Sequence, residues 1–154
     1  NMSKHTIVIK RKNKNETHEG DPAVVGLFAV LFGTVYSVTH KDIMGLDVAI
    51  SGEKPVAFEA GLAYSATTPV CSAADSQIAG DIVYVTVPSV EKSDSSYVMR
   101  FSITPSATIQ FNIVFAYAVY NDGKKLLIYR GCHSYPITAS PDEVLDVNIT
   151  FTPT

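Results

Sequence analysis

Residues 108–130 read TIQFNIVFAYAVYNDGKKLLIYR. Successive side chains of an extended chain point to opposite faces. Ile109, Phe111, Ile113, Phe115, Tyr117 and Val119 therefore share one side of 108–120. The other side begins polar, with Gln110 and Asn112, and turns apolar at Val114, Ala116 and Ala118, so its far half is expected to be covered. Asn121-Asp122-Gly123-Lys124 is the best hairpin signal in the chain, because Asn and Gly accept the positive φ of a tight turn. It joins what reads as the longest strand to a partner at 125–130. A hairpin this apolar needs further sheet on both sides.

The flanking sequence supplies it. Residues 97–103 set Tyr97, Met99, Phe101 and Ile103 on one face against Arg100 and Ser102. Residues 144–152 set Leu145, Val147, Ile149 and Phe151 inward, with Asp146, Asn148, Thr150 and Thr152 outward. Val56, Phe58, Ala60, Leu62 and Tyr64 alternate with Glu59 and small residues that suit close packing. Shorter strands are expected at 5–11 (Ile7 and Ile9 together), 45–50 and 134–137. Residues 81–87 are apolar on both faces, which reads as a central strand. Polar stretches at 13–20, 65–80 and 88–96 read as loops, and 51–54, 104–106 and 139–142 as turns. Some eight to ten short strands with little helix make this an all-β chain, a single domain over 1–154 built as an antiparallel β-sandwich, of which the jelly roll is one form. No internal repeat is evident, which argues against a propeller or solenoid.

One stretch resists this alternation. Residues 21–38, DPAVVGLFAVLFGTVYSV, carry no charge from Ala23 onward. Asp21-Pro22 suits a helix start and Gly33 a helix end. The β-branched and aromatic content favours instead a buried strand, or a strand pair broken near Gly33. At ten residues, 23–32 is too short to span a bilayer as a helix, which needs about 20. Membrane insertion through 23–38 is the third functional reading.

The chain has 154 residues, 46% hydrophobic and 18% charged, and a net charge of −3. This is more apolar than one small core needs and suggests a buried subunit interface. The charge is uneven. Residues 1–14 hold Lys4, Lys10, Arg11, Lys12 and Lys14 without an acid, a net +5; the rest hold seven bases against fifteen acids, a net −8. Such an arm can dock on its own body, on a neighbouring copy or on a polyanion. Nucleic acid is otherwise disfavoured by the acidic body and the absence of any recognition motif. No secretory signal is expected, because 5–9 is short and followed by basic residues; the sequence fixes no compartment. Cys71 and Cys132 fit either one disulfide or two buried thiols.

Chemistry is poorly represented. The chain lacks a G-x-S-x-G elbow, a phosphate-binding glycine loop, G-x-G-x-x-G and H-E-x-x-H. Cys132 and His133 are adjacent, so on a strand they point apart and do not form a nucleophile–base pair. His5, His18, His40 and His133 show no metal-ligand spacing, and the loops holding His18-Glu19 and His40-Lys41-Asp42 read as solvated turns. No catalytic residue, metal or cofactor is assigned. The sequence thus points to a non-catalytic structural or self-assembling subunit that forms a homo-oligomer, with Lys10, Arg11, Lys12, Lys14, Leu27, Phe28, Leu31 and Phe32 at the interface. A lectin-like module binding a glycan or another cell-surface ligand is the alternative. Its candidate platforms are Tyr64, Tyr97, Tyr120 and Tyr135, which read as strand-end residues in a chain without Trp.

Overall fold

The computed structural model describes residues 3–11, 15–19, 37–41, 47–51, 55–72, 77–92, 97–121 and 123–153. These residues form antiparallel sheets and no helix, consistent with the expected β-sandwich. The strands in chain order are β1 (Ser3–Lys10), β2 (Asn15–Glu19), β3 (Ser37–Lys41), β4 (Asp47–Ser51), β5 (Ala57–Tyr64), β6 (Asp81–Thr86), β7 (Ser89–Lys92), β8 (Tyr97–Ile103), β9 (Ile109–Val119), β10 (Lys125–Ala139) and β11 (Leu145–Pro153). One sheet runs β2-β1-β11-β8-β7 and another β10-β9-β5-β6, while β3 and β4 pair with each other.

Alternation builds the inner face of the five-stranded sheet. Ile7, Ile149 and Met99 lie opposite one another across β1, β11 and β8, and Ile9, Val147 and Phe101 form the next row. All six are buried, and cross-strand rows of this kind are the unit of sheet stabilisation. The first row runs on to Val90 at the β7 edge, where exposure rises to 40%.

The four-stranded sheet meets these rows with small side chains. Leu62, Val114, Gly131 and Tyr84 lie level across β5, β9, β10 and β6. A Cβ on Gly131 would come within 2.5 Å of Ile7 Cδ1, and the Tyr84 ring sits 6.2 Å from that of Phe101, so this face looks toward the first sheet. Ala60, Ala116 and Ala118 share the face and are buried or nearly so. The opposite face carries Ile113, Phe115 and Tyr117, also buried. Their cover includes the segments at 65–72 and 77–80. Cys71 is bonded to Cys132, which resolves the two cysteine readings in favour of the disulfide. The buried Arg130 guanidinium donates to Val70 O at 2.9 Å and Ile78 O at 2.6 Å. The buried amide of Asn112 bonds both ways with the Ser65 backbone, at 2.9 Å each, so this polar residue extends the β5 edge instead of marking an open face.

Several expectations are corrected. Residues 15–19 and 89–92 are strands, not loop; their polar side chains hide a ladder made by backbone groups. His18 with Glu19, and His40 with Lys41, accordingly lie in strands β2 and β3. The longest strand is β10, because 125–130 and 134–137 belong to one strand with an irregularity between Cys132 and Ile137. The hairpin turn is as expected, with Gly123 at φ 85°. Most of the apolar stretch 21–38 lies outside the described residues; Ser37 and Val38 open β3.

The largest correction concerns β6. It is not central. Among the described residues it pairs only with β5 and forms the rim of its sheet.

Candidate functional site

Four aliphatic side chains are exposed along the β6 rim and just past its end. Ile82, Val83, Val85 and Val87 are 50%, 36%, 42% and 67% exposed. Register explains why they stand together. Leu62 is opposite Tyr84 and Ala63 opposite Ile82, so Val83 is the extra residue of a β-bulge. Tyr84 and Thr86 turn toward the first sheet and are half-buried. Ile82 follows Ala63, and Val85 follows Gly61, onto the outward face. The bulge leaves Val83 without an opposite residue on β5 and exposed, and 82–90 (IVYVTVPSV) contains no charge.

Close packing holds β6 against β5. A Cβ at Gly61 would lie 1.9 Å from Tyr84 O and 2.9 Å from Phe115 Cζ. Only glycine permits this approach. Phe115 is fixed in turn by stacking on Tyr117, with centroids 5.9 Å apart and planes 3° from parallel. The Tyr117 hydroxyl donates to Glu59 Oε1 at 2.5 Å, and Lys125 Nζ lies 5.3 Å from the Tyr117 ring centre and 3.7 Å from the same carboxylate. Burial, and then the Glu59 carboxylate, push the Tyr117 pKa well above its ordinary value.

The two rims of the five-stranded sheet are built differently. β2 presents exposed Asn15 and Thr17 with Glu16, and β7 places Glu91 in an ion pair with Arg100. Charges on a rim discourage pairing with another chain. β6 carries none after Asp81.

The interface candidates of the basic arm separate. Lys10 is exposed at the end of β1. Arg11 is committed to its own chain: Nε and Nη2 grip the two Glu143 oxygens at 2.8 and 3.1 Å, Nη1 meets Glu16 Oε2 at 3.1 Å, and Nη2 donates to Thr138 O at 2.6 Å. The hydrogen bond to Glu143 raises its pKa above the ordinary guanidinium value, so the fork stays charged. Lys12, Lys14, Leu27, Phe28, Leu31 and Phe32 lie outside the described residues.

The tyrosine candidates sit on or beside four different strands. Tyr64 ends β5 and is half-buried, whereas Tyr120 follows β9 at the opposite end of the same ladder and is 3% exposed, leaving no ring face for a sugar. Tyr97 opens β8 in the other sheet, and Tyr135 lies inside β10, not at a strand end. Among the described residues no group of three or more His, Cys, Asp or Glu is placed to hold a metal, and no helix is long and apolar enough to cross a membrane.

No protein-family model, no curated protein and no solved structure matches this chain.

The sequence did contain the β6 signal, since 81–87 is apolar on both faces. What local pattern does not encode is strand order, and strand order makes the same apolar residues a core or a rim.

Proposed function

We propose that this chain is a non-catalytic subunit that works by protein–protein association, and that β6 is its docking edge. The observation that carries the reading is the exposure of Ile82, Val83, Val85 and Val87 along a rim strand, and just past its end, with no charge after Asp81. Rim strands of this kind template further pairing unless they are guarded, and clustered apolar exposure marks interaction surfaces. The basic arm supports the same reading in a lesser role: Arg11 braces its own body, and Lys10 stays exposed to meet acids of a neighbour.

Size exclusion with light scattering at low and high salt tests this. The chain is expected to run above its 16.6 kDa mass at both salts, because an apolar contact survives ionic strengths of about 1 M, where charges are screened within roughly 3 Å. Val85→Lys combined with Val87→Lys returns it to a single-chain mass with unchanged circular dichroism. A wild-type chain that runs at single-chain mass at both salts and high concentration sinks the proposal. Association lost at high salt shifts the contact to Lys10 and its arm.

A further inference from the structure

We infer that the occupant of the β6 edge is a second copy of this chain, paired β6 to β6 in antiparallel about a two-fold axis beside Val85. The inference rests on the association reading above and names its partner and register.

Charge is the first argument. A surface that meets its own copy must not repel itself, and 82–90 carries no charge to repel. Asp81, the one charged residue of β6, lies at the strand's outer end, away from the middle of a self-paired ladder. The β2 rim (Asn15-Glu16-Thr17-His18-Glu19) carries two acids and offers no such uncharged strip. The body's net −8 opposes broad contact between copies, so they meet best along an uncharged strip.

Symmetry is the second. Antiparallel pairing of identical rims requires a two-fold axis perpendicular to the sheet, which keeps the inner faces of both copies on one side. Opposed residues must then share a face, so one residue faces its own copy. Val85 points outward, and Val83 at the bulge and Val87 just past the strand's end are exposed beside it. With Val85 on the axis, Val83 of each copy lies opposite Val87 of the other, and Tyr84 lies opposite Thr86. The opposed pairs within 84–86 match in face, and the same register sets valine against valine once at 85–85 and twice at 83–87. The bulge bends only the start of the strand; 84–86 pairs regularly with β5. The product is one continuous sheet in the order β10-β9-β5-β6-β6-β5-β9-β10, without an open β6 rim.

The test uses single cysteines in the full chain, the native cysteines being already joined to each other. Residues opposed across an antiparallel ladder come within disulfide reach. Val85→Cys is expected to give a covalent dimer on mild oxidation, several-fold more than Val144→Cys, an equally exposed valine beyond β10. Val83→Cys and Val87→Cys should cross-link when mixed and not when separate. A Val85→Cys yield no higher than that of Val144→Cys overturns the inference. If light scattering still shows a dimer, the copies meet elsewhere and the association reading stands; if it shows one chain, both fail. A Val85→Cys variant that runs as a single chain and whose introduced thiol resists labelling assigns the cover to another part of this same chain and also overturns the second copy.

Discussion

Gly61→Ala probes the contact that positions the docking strand. The new Cβ would lie 1.9 Å from Tyr84 O, against an ordinary contact of about 3.5 Å, so β6 must retreat by roughly 1.5 Å. No rotamer change relieves this, because the obstacle is backbone. Phe115 offers no room either, being fully buried and stacked on Tyr117. Overpacking costs about 1–3 kcal/mol, and each ladder hydrogen bond lost adds roughly 1 kcal/mol. Replacing glycine returns only about 0.4–1 kcal/mol through the unfolded chain. The expected net loss is about 2–4 kcal/mol out of a typical 5–15. Urea unfolding reads it as a midpoint lowered by about 1–2 M at an unchanged slope. Retreat of β6 should weaken association as well. A midpoint that is unchanged or raised would refute the reasoning, since chain entropy alone predicts a rise.

Three further outcomes follow from other contacts. Arg11→Lys keeps the charge but cannot span Glu143, Glu16 and Thr138 O together, and is expected to cost about 1–2 kcal/mol in denaturant unfolding; no loss would show the fork to be incidental. Replacing Cys71 and Cys132 by Ser opens a closure of 61 residues and should cost about 2–4 kcal/mol, read as a lowered Tm. The third concerns alkaline pH. Tyr117 in the unfolded chain ionises near pH ~10, while in the folded protein its pKa is raised, so its contribution is intact below that pH and falls above it by up to about 1.4 kcal/mol per pH unit. Tyr117→Phe should remove that part of the slope in stability measured between about pH 9 and 11; parallel wild-type and variant curves would contradict it.

Sheet membership was legible wherever one face was apolar and the other polar. β8 and β11 stand where alternation put them, with Met99, Phe101, Val147 and Ile149 inside. β2 and β7 were illegible because rim strands are held by backbone bonds to one neighbour, and NETHE or SVEK carries no trace of those bonds. Gly131 and Pro136 made β10 read as two pieces; Gly131 is in fact where Ile7 and Tyr129 crowd the strand, which leaves no space for a side chain. Arg11 could be seen as charge but not as a brace, because Glu143 lies 132 residues away. The same limit hid the β6 rim. Its exposure depends on having, among the described residues, β5 alone as a ladder partner, and that is a property of the whole sheet.

The β6 claim is tested most directly by amide hydrogen exchange at residues 82–87, followed as protein concentration is raised. Four side chains there expose together the equivalent of about two whole aliphatic residues per copy, a driving force of roughly 3–6 kcal/mol from each side. That is comparable to the lower range of association costs, so a reversible equilibrium is expected. Protection of 82–87 should rise with concentration and vanish in Val85→Lys, while β9 stays protected throughout. Protection at 82–87 that is independent of concentration would contradict the account.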